Sequence, residues 1–152
     1  MSTKFVYVTY IRTTPEKLWE ALTKPEFNRA YWFGGWQDCD WKKGSPWRLV
    51  FDDGKVADSG KVVEIDPPRK LVLSWRNEWN PEMKAEGYTT ATLEIEQNGE
   101  MVKLTVTHEI DRDNSTFITN GVSNGWPKIL SSLKTLLETG QALPGTDRRK
   151  EA

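Results

Sequence analysis

The side chains with the widest chemical range are rare in this 152-residue chain, which has one histidine and one cysteine. His108 lies in the run 101–110, where alternating apolar residues predict a strand with His108 on its inward face. One histidine and one cysteine cannot supply a multi-histidine metal site, and a Cys–His dyad would require Cys39 beside His108. We therefore predict no metal and no cofactor. We interpret His108 as a hydrogen-bonding wall group of a cavity or a satisfied core residue rather than as a catalyst.

Other sequence motifs for catalysis or phosphate binding are weak. Gly34-Gly35 lacks the following glycine and lysine that a phosphate-binding loop requires. The acidic pair Asp52-Asp53 lies in a predicted turn, and Glu94 and Glu96 share an exposed strand face, so acid–base chemistry by two carboxylates has little support. The 21 basic and 22 acidic residues form no run of one sign, which argues against nucleic acid and against an anionic membrane surface as partners.

Tryptophan is the anomaly of the composition. The chain contains eight tryptophans, and half of them fall between residues 32 and 47. Each indole ring supplies a large apolar area and one N–H donor, which suits either a packed core or a cavity that stacks on a flat ligand. For any single tryptophan the core interpretation is the more common one, and both interpretations remain open at this stage.

The elements that must position these residues follow from periodicity and turn signals. A strand is predicted over residues 4–11, short helices over 14–23 and 25–31, and strands near 35–40, 47–51, 58–65, 71–76, 88–97 and 101–110. Asn98-Gly99 is the clearest hairpin turn. The segment 77–87 breaks every period, and we interpret it as a long connection and as a hypothetical lid.

The strongest periodic signal is the helix predicted over residues 126–140. Its apolar residues recur at helical spacing on one face: Trp126, Ile129, Leu130, Leu133, Leu136 and Leu137. We expect Pro127 to lie in the first turn of this helix and Gly140 to end it. A short helical segment is expected before it, around residues 117–122. The element order predicts an α+β fold in which helices cover one face of an antiparallel sheet. A long sheet curls away from a straight helix, so a cavity is expected between them.

Several segments resemble the START-like (SRPBCC) superfamily, and within it the family of the activator of the heat-shock protein 90 ATPase. The matching segments are residues 14–23, 31–34, 41–47, 60–69 and 125–126. The resemblance covers about residues 3 to 140 and implies a helix-grip fold, in which a curved antiparallel sheet wraps round the C-terminal helix. We expect one START-like domain over residues 1–140 and a disordered tail over 141–152. Because this superfamily contains lipid carriers, polyketide cyclases, hormone receptors and co-chaperone domains, the resemblance leaves the function open.

Three functions remain under consideration. The first is a cytoplasmic protein that holds an apolar or aromatic ligand, lipid-like or polyketide- or flavonoid-like, between the sheet and the last helix. The second is an interaction module with a chaperone as partner, and the third is a cyclase or hydrolase. No signal segment or membrane span is seen, and no catalytic residue is predicted. The predicted ligand-binding residues are Trp32, Trp36, Trp47, Leu49, Trp75, Tyr88, His108, Phe117, Val122, Trp126, Ile129 and Leu130.

Overall fold

The computed structural model describes residues 2–146, which form a seven-stranded antiparallel sheet and a set of helices on one face of it. The strands are β1 (Thr3–Ile11), β2 (Trp36–Cys39), β3 (Pro46–Val50), β4 (Val56–Asp66), β5 (Lys70–Asn77), β6 (Thr89–Asn98) and β7 (Met101–Ile110). The helices are α1 (Pro15–Thr23), α2 (Pro25–Tyr31), α3 (Pro81–Ala85) and α4 (Ser123–Thr139), with a π-helical segment at Phe117–Val122. The predicted α+β helix-grip fold is confirmed.

The sheet is continuous and runs in the order β1-β7-β6-β5-β4-β3-β2. The pairing register shifts between Leu49 and Val50 in β3 and between Val62 and Glu64 in β4. Such bulges bend a strand and increase its twist, so they help the sheet to curve around the helices. The inner face carries the alternating apolar residues of β6 and β7, and α4 packs across this face between β1 and α2.

The short helices are fixed by local hydrogen bonds that the sequence predicts in part. Thr14 caps α1, since its hydroxyl accepts the N–H of Lys17 at 3.2 Å and Pro15 follows at the first helical position. The buried amide of Asn28 in α2 donates to the carbonyl oxygens of Ala21 and Leu22 at 3.2 and 3.1 Å. This amide ties α1 to α2 and thereby holds the turn that carries Trp32.

The last helix begins earlier than the sequence predicts. It starts at Ser123 and continues directly from the π-helical segment, so Pro127 lies inside the helix and not in its first turn. The start of the helical region is set by Glu86, whose carboxylate accepts the hydroxyl of Ser115 and the N–H groups of Thr116 and Phe117. Because this cap comes from a residue distant in the chain, no local signal in the sequence reveals it.

Two further segments differ from their predicted description. The connection 77–87 contains α3, which begins where the Asn80 side chain accepts the N–H of Met83 at 3.1 Å. Disorder is predicted from residue 141, whereas residues 141–146 lie against α4, with the hydroxyl groups of Thr146 and Ser132 2.7 Å apart. Residues 147–152 of the predicted tail lie outside the described residues.

Candidate functional site

A cavity of about 420 Å³ lies between the inner face of the sheet, the turn after α2 and the first turns of α4. Its lining is Trp32, Phe33, Leu49, Asp58, Trp75, Asn77, Trp79, Met83, Phe117, Asn120, Gly121, Val122, Asn124, Gly125, Trp126, Lys128 and Ile129. A neighbouring hollow of about 510 Å³ shares Phe33 and Trp79 but is bordered by the exposed pair Asp52 and Asp53. We treat the first cavity as the site because buried aromatic rings form its wall.

The inner wall of the cavity is a cluster of indole rings around Trp75. The ring of Trp75 lies 4.2 Å from that of Trp47, 6.2 Å from Trp32 and 5.5 Å from Trp126, between centroids. Trp32 is stacked on Trp75, whereas Trp126 stands edge-on to it. Gly60 pairs with both Trp47 and Trp75 in the sheet register. A Cβ at this position would collide with the Ser74 backbone. The cluster is therefore a rigid platform rather than a set of independent side chains.

His108 supports this platform from behind. It is fully buried, and its Nδ1 accepts the indole N–H of Trp126 at 3.1 Å. Its Nε2 lies 2.7 Å from the hydroxyl of Thr89, which itself donates to the Trp75 carbonyl oxygen at 2.7 Å, so the ring proton resides on Nε2. Burial lowers the pKa of His108 from 6.5 to about 3. A neutral histidine with both nitrogens occupied orients Trp126 and has no free group to offer a ligand.

We expect the change His108→Leu to destabilise the fold by about 2 kcal/mol at pH 7, because the Trp126 N–H and the Thr89 hydroxyl lose their partner in a buried site. Unfolded wild type binds a proton at His108 below pH 6.5, whereas the folded protein does so only near pH 3, so acid destabilises the wild type in that window. The His108→Leu variant lacks this titration. The difference in the free energy of unfolding between the wild type and the variant should therefore shrink by about 1.4 kcal/mol for each pH unit below 6.5. Urea unfolding at pH 7 and pH 5 measures the cost of the substitution and its change with pH. An equal cost at both pH values would contradict a buried, neutral His108.

Asp58 is the one acidic side chain that lines the cavity among residues 2–146. It is 8% exposed and lies opposite Leu49 of β3 and Asn77 of β5 in the register of the sheet. Burial raises its pKa from 3.8 to about 7, the nearby Trp75 indole partly offsets this rise, and the charge of Glu78 adds to it. Asp58 thus exchanges its proton near neutral pH, where such a group can donate or accept a proton.

Glu78 stays ionised just outside the cavity because cations surround it. The Nε of Arg76 donates to its carboxylate at 2.7 Å, the hydroxyl of Ser59 donates at 2.7 Å, and the Lys84 amine lies 3.2 Å away. These contacts, led by the hydrogen bonds from Arg76, lower the pKa of Glu78 to about 2. The two neighbouring carboxyl groups, Asp58 inside the cavity and Glu78 outside it, therefore titrate at widely separated pH values.

The structure brings most of the predicted ligand-binding residues to this cavity. Those that line it are Trp32, Leu49, Trp75, Phe117, Val122, Trp126 and Ile129. Trp47, His108 and Leu130 are fully buried behind the wall. The ring of Trp36 is half-buried beneath the guanidinium of Arg29, away from the cavity. Tyr88 is 52% exposed under Arg76 on the outside, because it precedes β6.

Sequence reasoning missed the polar part of the lining. Asp58 lies near the start of β4 and Asn77 ends β5, where polar residues usually mark turns. Asn77 nevertheless continues the inward alternation of Leu71, Leu73 and Trp75, so the pattern of β5 could have placed it at the site. Trp79 and Met83 come from the connection 77–87, so this segment borders the cavity. Asn120, Asn124 and Lys128 line it from the helical side and are exposed. For the connection 77–87, the signal in the sequence is Trp79, a tryptophan within an irregular segment.

A curved antiparallel sheet around a C-terminal helix, with an aromatic cavity between them, defines a helix-grip protein of the START-like class. The chain belongs to the family of activator of Hsp90 ATPase homolog 1-like proteins, whose family model matches residues 12–138. The resemblance read from the sequence is therefore confirmed. No curated protein matches the chain.

Solved structures show the same fold at low sequence identity. The protein MLL2253 from Mesorhizobium loti is 23% identical with a TM-score of 0.76, and the match covers 90% of this chain and 97% of that one. DynU16, from the dynemicin biosynthetic locus, is 20% identical with a TM-score of 0.75, covering 95% of this chain and 50% of that one. PFC0360w, an HSP90 activator from Plasmodium falciparum, is 24% identical with a TM-score of 0.70, covering 89% and 96%.

Among residues 2–146 no helix is long and apolar enough to cross a membrane. Within the same part of the chain, no three histidine, cysteine, aspartate or glutamate side chains lie together in a way that could hold a metal ion. The residues that line the cavity offer apolar contact, hydrogen bonding and proton exchange at Asp58.

Proposed function

We propose that this protein binds a small apolar or aromatic molecule in the cavity between the sheet and α4. The observation that carries the proposal is the wall of buried indole rings, from Trp32, Trp75 and Trp126, beside about 420 Å³ of space. Small-molecule sites are typically concave and lined by aromatic side chains with a few polar groups. A flat ligand would bury its apolar surface against this wall, which is favourable by about 25 cal/mol per Å².

Blocking the mouth of the cavity tests the proposal without weakening the fold. Gly125 lies in α4 and lines the cavity, and a Cβ added there would meet no atom within 4 Å. In Gly125→Leu the side chain should enter the cavity, lower the affinity for a neutral probe such as N-phenyl-1-naphthylamine at least tenfold, and raise helix stability by about 0.5–1 kcal/mol. Fluorescence enhancement of the probe and urea unfolding measure the two effects.

Gly125→Ala is the matched control, because it gains the same helix propensity but adds only one methyl group. It should bind the probe nearly as well as the wild type. Saturable binding that is the same in all three proteins would place the probe elsewhere, and failure of the wild type to bind any neutral aromatic probe would remove the proposal. Native mass spectrometry of the purified protein can identify a ligand that is retained through purification.

A second candidate is a protein-binding module that acts with an Hsp90-type chaperone. Family membership supports it, and so does an exposed apolar row on the edge strand β1, where Val6, Val8 and Tyr10 are 50%, 45% and 42% exposed. Under this proposal, the middle domain of the chaperone should retain the wild type in a pull-down, and Val8→Lys should lower the retained amount at least fivefold. A Lys61→Ala variant is a control on an exposed position of β4. Equal retention of all three proteins, or none, would contradict binding through β1.

A further inference from the structure

We infer that Asp58 and Asn77 form one polar anchor in the cavity, which recognises a carbonyl oxygen of the ligand. The ligand class is then a planar aromatic ketone or quinone, and neither a plain hydrocarbon nor an alkyl chain. The inference rests on the proposed function, because it names the ligand chemistry of the same cavity.

The two residues face the cavity from adjacent strands. Asp58 and Asn77 are direct partners in the antiparallel pairing of β4 with β5, so their side chains lie on the same face. They are 8% and 6% exposed, and both line the cavity beside the indole of Trp75. Two polar groups are thus adjacent at a wall that is otherwise aromatic and aliphatic on the sheet side.

The amide of Asn77 has a fixed orientation. Its Oδ1 accepts the backbone N–H groups of Trp79 and Asn80 at 3.2 and 2.8 Å. Its Nδ2 makes no hydrogen bond to another described residue, and no fully enclosed side-chain nitrogen or oxygen in that part of the chain lacks a partner. The Nδ2 group therefore remains accessible, and since Asn77 lines the cavity it can offer its N–H donors to a ligand.

Asp58 supplies the second donor when it is protonated. Burial and the nearby charge of Glu78 favour its neutral form up to about pH 7, and Glu78 is itself bound by Arg76 and Lys84. Lys128 of α4 lines the cavity from its exposed side. A carbonyl oxygen has two lone pairs and can accept from both donors, whereas a hydrocarbon would leave both donors without a partner in an apolar site.

The ring geometry disfavours an organic cation as the occupant. Cation sites use aromatic faces that surround an open space. The centroids of Trp32, Trp75 and Trp126 are 5.5 to 6.2 Å apart, which is the distance of rings in mutual contact. No ammonium group fits between them, so an occupant of the cavity lies against the outer side of the cluster, where it meets an indole face or edge.

The test uses two probes of one shape, fluorenone with a carbonyl group and fluorene without it. Each competes with N-phenyl-1-naphthylamine for the wild type, Asp58→Leu and Asp58→Asn at pH 6. The ratio of the two affinities is the readout. We expect the wild type to prefer fluorenone about tenfold, Asp58→Leu to lower this ratio towards one, and Asp58→Asn to keep it because the amide still donates. Above pH 7 the ratio should fall in the wild type and stay constant in Asp58→Asn.

The outcomes separate this inference from the proposed function. If neither probe binds the wild type, both fall together. If both probes bind but the ratio in the wild type is near one, or is the same in Asp58→Leu, the cavity binds ligands and the carbonyl anchor is disproved. Should Asp58→Leu fail to fold, the pH series of the wild type and Asp58→Asn decides, because an unchanged wild-type ratio between pH 6 and 8.5 overturns the inference.

Discussion

The change Trp75→Ala should destabilise the fold by about 3–5 kcal/mol and abolish binding of an aromatic probe. Trp75 is 5% exposed and contacts the rings of Trp32, Trp47, Trp126 and His108. Truncation would leave a void at the centre of the cluster, and the surrounding rings are held by the sheet register and by hydrogen bonds, so they cannot close it fully. Urea unfolding at pH 7 and a probe titration measure the two losses.

Trp79→Ala is the matched control for this prediction. Trp79 also lines the cavity, but it is 56% exposed at the mouth, so its loss should cost less than about 1 kcal/mol. The probe should still bind to this variant, with reduced affinity. A cost below about 1.5 kcal/mol for Trp75→Ala, or equal costs for the two variants, would show that the indole cluster does not support the fold.

The change Asp58→Asn should stabilise the protein by about 4 kcal/mol at pH 8 and hardly at all at pH 4. The pKa of Asp58 is raised from 3.8 in the unfolded chain to about 7 in the folded protein, mainly by burial. The unfolded chain therefore loses this proton near pH 4, whereas the folded protein keeps it until about pH 7. The stability that Asp58 contributes is complete below pH 3.8 and is lost as the pH rises towards 7, and asparagine has no such loss.

Comparison of the two proteins across pH isolates this single group. Other titrations, such as that of Glu78, occur in both chains and cancel in the difference. His108 has the opposite sign, since its depressed pKa costs stability as the pH falls from 6.5 towards 3. Between about pH 4 and 6.5, a fall in pH adds stability at Asp58 and removes it at His108, so the two effects offset each other in the wild type. Asp58→Asn keeps only the His108 effect and should therefore lose more stability in acid than the wild type. Urea unfolding at half-unit pH steps measures this, and a constant difference between the two proteins would refute the buried titration.

Tertiary structure decided whether Asp58 belongs to the site. Val50 pairs with Val56, and a regular continuation of this hairpin would pair Leu49 with Ala57 and turn Asp58 to the outer face. The register shift between Leu49 and Val50 instead pairs Leu49 with Asp58, so a bulge of one residue moves the carboxyl group into the cavity. The number of residues in a bulge depends on how two strands fit together, and the sequence of either strand alone does not specify it.

The sequence by itself determined most of the elements and much of the cavity wall. Alternation in β7 and helical spacing in α4 are local patterns, and they correctly turned His108, Trp126 and Ile129 towards the sheet–helix interface. Segments such as 60–69 and 125–126 were enough to indicate the family. These features could be predicted because a side chain's direction within one strand or helix depends only on the period of that element.

Only the tertiary structure decided which inward residues meet the open space and which are sealed behind it. Trp47 and Trp75 share an inward direction, yet Trp47 is fully buried and Trp75 lines the cavity. The same applies to Glu86, whose role as a helix cap depends on a loop folding back onto residues 115–117. Such contacts join residues far apart in the chain. Their geometry follows from the curvature of the whole sheet and the packing of α4 across it, which local periodicity does not encode.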